Sequence, residues 1–147
     1  MPAIVIAFVI AASGPLGYQA ASAIRTHLAA SAPCLSETHS PQAARMHIHV
    51  RTSAVPLGVQ AYTDNVQAHS DGSYTVEAVA ILDGRPVATA SASSTSTTVW
   101  VSIGPVTLRL PLGSPAQAVE SAARQLAARL RHLCQAPVPE QDQGPAS

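Results

Sequence analysis

The chain has 147 residues, of which 47% are hydrophobic and 11% charged, and its formal net charge at pH 7 is zero. This length suits a single domain, and the apolar fraction is too high for a disordered chain. The lack of net charge leaves no basic footprint for nucleic acid or for an anionic membrane surface. Only 3% of the residues are aromatic, so the core must be built mainly from Val, Ala, Leu and Ile.

The first 23 residues have features of a secretory signal peptide. Ile4 to Ala12 is an apolar run, too short for a bilayer span of about 20 residues but of the length of a signal-peptide h-region. Ala21-Ser22-Ala23 offers an Ala-x-Ala cleavage site, although Met1-Pro2-Ala3 carries no Arg or Lys. We therefore expect residues 1–23 to be removed on export and residues 24–44 to form a linker.

The same segment has a second interpretation as part of a cytosolic α/β domain. Here Ile4–Ala12 is a buried strand, Ser13–Gly17 a turn and Tyr18–Ala30 a helix. Gly14-x-x-Gly17 would open that helix and could resemble a phosphate-binding turn. No Lys follows it in a Walker pattern, so the phosphate signal is weak.

Strict alternation over Arg45–Arg51 predicts the first strand of the main sheet, with Met46, Ile48 and Val50 facing the core. Pro56 and Gly58 then break the chain. Val59–His69 is expected to be a second strand, interrupted by a bulge or turn at Asp64-Asn65, and Asp71-Gly72 a further turn.

Asp83-Gly84 is the strongest local signal, because it separates two β-prone runs as a type I′ hairpin turn does. The paired strands are Tyr74–Leu82 and Val87–Thr95. Two more strands should follow, Thr97–Ile103 and Val106–Leu110, and alternation in the second of these places Val106, Leu108 and Leu110 inward.

A helix is predicted over Pro115–Cys134. Ser114 is its expected N-cap and Pro115 its first residue, while Gln117 would complete a capping box. Its apolar face at 3/4 spacing comprises Val119, Ala122, Ala123, Leu126, Leu130 and Leu133. The predicted fold is therefore α+β: an antiparallel meander of five or six strands packed by one C-terminal helix. This single domain covers residues 45–135, and residues 136–147 form a disordered tail.

Cys34 and Cys134 are the only cysteines. In an exported chain an even pair predicts a disulfide, here joining the segment before the first main strand to the end of the helix. In a cytosolic chain they would be two unrelated buried thiols.

His47 and His49 share one strand face, a spacing that could serve Zn²⁺ with His69 or Asp64 as third ligand. Arg45 and Arg51 flank the pair and would repel a cation. A solvent-exposed polar face is therefore the favoured interpretation, and we predict no metal site and no cofactor.

Catalytic residue types are present without a convincing arrangement. His69-Ser70-Asp71 contains the types of a triad, but adjacent turn residues cannot form the required relay. Glu77 has no second acid to pair with. The aromatic residues Trp100, Tyr62 and Tyr74 could line a pocket, although packing is their more usual role. We predict no catalytic residue.

The apolar character of both faces of Tyr74–Leu82 suggests that the sheet needs cover on both sides. One helix is too narrow for five or six strands, so Val79 and Ile81 are predicted to face a partner protein, a second copy or an apolar ligand. The sequence carries no signature of a known family. It favours an exported, non-enzymatic accessory or binding module of the cell envelope, with a metal-binding protein or enzyme using His47 and His49, or a cytosolic domain, as alternatives.

Overall fold

The structure is a computed structural model that describes residues 5–135, except for the side chains at positions 59 and 61. Six strands form one sheet in the order β2-β1-β3-β4-β5-β6. The strands are β1 Ile6–Ser13, β2 Leu35–Glu37, β3 Met46–Tyr62, β4 Val66–Leu82, β5 Arg85–Ile103 and β6 Val106–Leu112. The helices are α1 Gly17–Ser31 and α2 Pro115–Leu130, and a 3₁₀ turn, Arg131–Cys134, follows α2.

The α+β class is confirmed, but the expectation of a purely antiparallel meander with one helix is wrong. β3 to β6 pair antiparallel, whereas β1 pairs parallel with both β2 and β3. The parallel strands arise because α1 carries the chain back across the sheet between β1 and β2, as parallel pairing requires a crossover connection. The sheet is therefore mixed, and it has two helices.

The N-terminal segment adopts the strand–turn–helix arrangement that was the alternative prediction. β1 lies inside the sheet, where Ile6 and Phe8 are buried. Residues 24–44, predicted to be a linker, instead contain the buried second half of α1, with Ile24 and Leu28, and strand β2. Cleavage after Ala23 stays a prediction of the sequence; it would remove β1 and the first half of α1 from this fold.

Thr52 fixes the turn between β1 and α1. Its hydroxyl donates to the Ser13 carbonyl (2.8 Å) and accepts from the Leu16 amide (3.0 Å). Gly14 lies against the Thr52 carbonyl at a φ of 91°, and a Cβ at this position would approach that oxygen to 2.0 Å. The Gly17 amide donates to the Gly14 carbonyl. These bonds occupy the turn's amides at positions 16 and 17, so Gly14-x-x-Gly17 serves packing in this structure.

The two helices cover one face of the sheet and form the core with it. Met46, Ile48 and Val50 are buried there, as alternation predicted. So are Val119, Ala122, Ala123, Leu126 and Leu130 of α2, while Leu133 is partly buried. The opposing sheet positions are small: Ala78, Ala80, Ala88 and Ala90 are all buried. A sheet surface of alanines lets α2 approach closely, which is how a core with so few aromatics is filled.

The start of α2 is held differently from the prediction. Ser114 is the N-cap residue and Pro115 follows it, but the Ser114 side chain makes no capping hydrogen bond. The segment is anchored instead through the Ser114 carbonyl, which accepts from the Ser94 hydroxyl (2.7 Å), and through Gly113, which packs against the Thr95 carbonyl. The predicted capping box is therefore absent.

The Asp83-Gly84 hairpin turn is confirmed: both residues have positive φ, and Leu82 pairs with Arg85 across it. The other predicted breaks are not chain reversals, apart from the tip at positions 63–65. Pro56–Gly58 and Asp71-Gly72 are irregularities within the long strands β3 and β4, where the register shifts.

These two irregularities lie at the same level of the sheet, since Pro56 pairs with Gly72 and position 59 with Ser70. β6 pairs only with Thr97–Ile103, just beyond that level. Bulges bend a strand and increase its twist. The two irregularities divide the sheet into two parts. The covered half lies beneath the helices, and the other part, which we call the arm, comprises residues 59–70 and 97–112.

A disulfide joins Cys34 to Cys134, with their Cα atoms 5.3 Å apart. It links the start of β2 to the turn after α2, at the end of the molecule farthest from the arm. The predicted disulfide is thus present. Neither described helix is long and apolar enough to cross a membrane. The predicted tail, residues 136–147, lies outside the described residues.

Candidate functional site

The face of the sheet opposite the helices, which we call the open face, carries the candidate site. His47, His49 and Arg51 project there from β3, since they alternate with the buried Met46, Ile48 and Val50. Glu77, Val79 and Ile81 project from the neighbouring β4. Val79 and Ile81 are partly buried on this face, which is where the sequence placed a partner surface.

A groove of about 700 Å³ crosses four strands of the open face. Its first wall is a row of cross-strand neighbours, Ala11, His49, Val79 and Thr89. The second wall is the adjacent row, Ser13, Arg51, Glu77 and Ser91. Between them, Val50, Ala78 and Ala90 line the floor; their side chains are buried under the helices, so they present backbone to the groove.

The two walls differ in polarity. Val79 and Ala11 make the first wall partly apolar, whereas the second wall is polar throughout. Arg51 and Glu77 lie directly opposite each other on β3 and β4. Neither forms an ion pair with any residue between 5 and 135, so both charges are available to a bound molecule.

Side chains from α2 close the groove at the β5 edge. The first half of β5 has no strand beyond it, because β6 begins to pair only at Thr97. Arg129 donates through Nη1 to the Thr89 carbonyl, and Gln125 accepts from the Ser91 amide (3.4 Å). Both side chains also line the groove. They satisfy backbone groups that would otherwise be an open sheet edge.

Sequence reasoning missed Gln125, Arg129 and Thr89. The Gln125/Arg129 spacing of four places both side chains on one side of α2, but only the strand order shows that this side meets the edge of β5. Arg129 lies in the last turn of α2, where a cation also interacts favourably with the helix C-terminus. Glu120 of the same helix contacts His27 of α1 at 2.9 Å.

His47 and His49 stack on each other, with ring centroids 6.3 Å apart and planes 14° from parallel. The proposed third ligands are not beside them. His69 lies in the arm, paired with position 60, and Asp64 lies at the tip of the β3–β4 hairpin. Over the described range, no three side chains of His, Cys, Asp or Glu are grouped to hold a metal ion.

His69, Ser70 and Asp71 do not form a triad. The bulge at Asp71 brings its carboxylate to 3.3 Å from His69 Nε2, and the Thr98 hydroxyl donates to it at 3.1 Å. Ser70 instead contacts the hydroxyl of Thr97, the residue before Thr98 in β5, at 3.3 Å. The serine hydroxyl is therefore engaged away from the histidine, and the cluster holds the bulge in place.

Two of the three aromatic residues meet in a smaller pocket of about 340 Å³ at the hairpin tip. Tyr62 and Trp100 line it together with Asp64 and Thr107. Tyr74 lies elsewhere, with its hydroxyl close to Gly72 and its ring packed against the core. The sequence favoured packing over a pocket for these three residues; Tyr74 packs against the core, whereas Tyr62 and Trp100 line this pocket.

Comparison with known proteins gives no family. No protein-family model matches the chain, and no curated protein does. A "putative neuraminyllactose-binding hemagglutinin homolog" from Helicobacter pylori is similar in structure, with a TM-score of 0.49 and 12% identity over 95% of this chain and 89% of that one. A "putative lipoprotein" from Caulobacter crescentus has a TM-score of 0.35 and 16% identity over 87% and 86%. These scores are too low for either name to bear on function here.

Proposed function

We propose that the chain is an exported, non-enzymatic binding domain and that the groove on its open face holds the ligand. The groove is the observation that carries this proposal. Its volume of about 700 Å³ lies within the range of small-molecule sites, ~300–1,000 Å³. It crosses the strands from β1 to β5, a span of roughly 14 Å at ~4.8 Å per strand.

The chemistry of the walls indicates the class of ligand. Val79 offers an apolar contact on one side, and Arg51 and Glu77 offer opposite charges on the other. A narrow amphipathic chain fits this division, with its apolar side on Val79 and polar groups on the charged wall. A short extended segment of another protein has this character, as does a small amphiphile.

Export is proposed because of the disulfide. Disulfides form and persist in oxidising compartments and are rare in the cytosol. The bond between Cys34 and Cys134 closes a loop with a sequence separation of 100 residues. The proposed binding domain includes β1, because Ala11 and Ser13 belong to the groove walls. An intact mass of the natively expressed protein would separate this form from one cleaved after Ala23.

A dye titration tests the groove. Anilinonaphthalene sulfonate combines apolar rings with an anionic group, and Val79→Asp should weaken its binding by placing a charge in the apolar wall. Ile81→Asp is the matched control, because Ile81 lies two residues further along the same strand face and does not line the groove. Equal losses in both variants would show that dye binds the sheet face generally, and no loss in Val79→Asp would reject the groove as the site.

Replacement of Arg51 by Ala tests the charged wall. Binding of the anionic dye should fall, whereas Arg85→Ala, which removes an exposed Arg at the start of β5 outside the groove, should leave it unchanged. Both titrations are best made in a variant that also carries Leu108→Asp. Leu108 is one of several exposed apolar residues of the arm, and dye bound there would mask binding in the groove.

A further inference from the structure

The arm has an apolar surface on the open side of the sheet that nothing in the described chain covers. Cross-strand pairing puts Val99 opposite Leu110, Val101 opposite Leu108 and Ile103 opposite Val106. Directly opposite residues project to the same side. On the other side of β5, Val66 pairs with Val101. We call this surface the arm face; it comprises Val66, Val99, Val101, Ile103, Val106, Leu108, Leu110 and Leu112.

The arm face is exposed to an unusual degree. Val66, Ile103 and the four apolar residues of β6 are each between 38% and 61% exposed. The sequence placed Val106, Leu108 and Leu110 inward, and that prediction is wrong because the helices pack on the opposite face of the sheet. The exposed apolar area is on the order of 500 Å², the size at which patches on soluble proteins usually mark an interaction site.

The two ends of the described chain lie far from the arm face. β1 begins next to Cys34, and the turn after α2 ends at Cys134, both at the disulfide end. The sequence after position 135 is also a poor cover for Val and Leu side chains. Its only large apolar residue is Val138, and it contains three Pro residues with Glu140 and Asp142. These features favour another molecule as the occupant of the arm face.

A lipid surface would suit the side chains but not the backbone. β6 is the last strand of the sheet, so its outer edge presents unpaired amide and carbonyl groups. Each such group costs several kcal/mol in hydrocarbon, and open sheet edges are not found exposed to lipid for that reason. A protein surface can cover the apolar side chains while leaving this edge in water.

The arm face is uncharged and therefore suits contact with an identical surface. None of the eight residues of the arm face is charged, so two copies can pack arm face to arm face without burying a charge, and the chain's zero net charge opposes no such approach. A two-fold symmetric contact of this kind uses the same patch twice. We propose that the arm face is a homodimer interface, in which two sheets pack face to face.

The size of the arm face sets the expected affinity. A standard interface buries about 800 Å² on each partner, and the exposed apolar area here is smaller. Interfaces below the standard size are typical of weak association, so the dimer population should depend on protein concentration. No residue of the arm face lines the groove, so the proposed dimer does not depend on the proposed ligand site.

Sedimentation velocity of the full chain over a concentration series tests the proposal. The wild type should shift from monomer to dimer as concentration rises. Leu108→Asp should remain monomeric throughout, because it buries two carboxylates in the contact. Thr107→Asp is the matched control: it adds the same charge to the same strand, at an exposed position on the opposite face, and should dimerise like the wild type.

Three results would overturn the proposal: a wild type that stays monomeric across the series, a Leu108→Asp variant that dimerises normally, or equal losses in both variants. Circular dichroism of each variant is the check that it is folded. Flotation with neutral phosphatidylcholine vesicles provides the lipid comparison. Vesicle binding by the wild type that Leu108→Asp abolishes, without dimerisation in solution, would assign the arm face to a membrane surface instead.

Discussion

The covered half and the arm are made of the same three long strands but differ in what their side chains contact. In the covered half, alternate residues of β3, β4 and β5 lie under α1 and α2, and Met46, Ile48 and Val76 have no measurable exposure. Beyond the bulges, every residue of β6 is exposed. Alternation along a strand therefore identifies which residues share a face, and only the placement of the helices decides which faces are buried.

Removal of residues 1–23 should have the largest effect. It deletes β1 from the interior of the sheet, together with Ile6, Phe8, Ala20 and Ala21 from the core. β2 would lose β1, the one strand that pairs with it among residues 5–135. We expect the shortened chain to lose cooperative unfolding, as followed by circular dichroism during thermal denaturation. A truncated domain as stable as the full chain would show that β1 is dispensable and would favour cleavage after Ala23.

Loss of the disulfide should destabilise the chain strongly while leaving the arm intact. The Cys34–Cys134 bond spans 100 residues, for which the chain-entropy model gives about 4.7 kcal/mol, with smaller values usual in practice. The double variant Cys34→Ser/Cys134→Ser should show this loss in urea unfolding. Free-thiol titration of the denatured, unreduced wild type should find no thiol, and two reactive thiols would rule the bond out.

A pair of identical substitutions compares the two regions directly. Leu126 of α2 is fully buried, whereas Leu110 of β6 is 46% exposed. Leu126→Ala should cost about 2–5 kcal/mol by leaving a cavity, whereas Leu110→Ala should cost well under half of that. Urea unfolding at low protein concentration, where the chain is monomeric, measures both. Equal costs would mean that the arm is packed as tightly as the core.

The smallest expected effect concerns the ion pair at the hairpin of the covered half. The Arg45 guanidinium donates to the Asp83 carboxylate (2.6 Å), and this hydrogen bond holds the pKa of Asp83 below its ordinary 3.8. A lowered folded-state pKa stabilises the fold above the ordinary value, and the stabilisation is lost as the pH falls through the folded value. The pair is fully exposed, so the change should be small.

Asp83→Asn removes the charge and keeps a residue that tolerates the positive φ of the turn. Its urea midpoint should lie slightly below that of the wild type near neutral pH and equal it in acid. A difference that stays constant over the whole pH range would exclude the ion pair as its source.

Local patterns in the sequence predicted the part of the covered half that is built from the start of β3, the β4–β5 hairpin and α2. The alternation at Met46–Val50, the Asp83-Gly84 turn and the apolar stripe of α2 are short-range signals, and all three were confirmed. The mixed topology was not predictable in the same way, because a strand such as Ile6–Ser13 and the h-region of a signal peptide have the same composition. Pro56–Gly58 and Asp71-Gly72 suggest turns, and only the partner strands show that they are bulges.

The candidate site was predicted only in part. Alternation placed His49 on the outward face of its strand and Val79 with Ile81 on one face of the next strand, but the sequence did not bring His49, Val79 and Glu77 onto one surface, as the pairing of β3 with β4 does. The groove itself depends on the order of the strands, which brings Arg51 and Glu77 together, and on Gln125 and Arg129 reaching the edge of β5. The exposure of the arm face depends on which face of the sheet the helices cover, which no local pattern encodes.

Amide hydrogen exchange at two protein concentrations tests the division into a covered half and an arm most directly. Backbone amides of Met46–Thr52 and Val76–Leu82 should exchange slowly in both samples, because they lie under the helices. Amides of 97–112 should exchange quickly in the dilute sample and slow down in the concentrated one, as the arm faces pack together. Slow exchange of 97–112 at low concentration, or the same rate in both samples, would contradict the account.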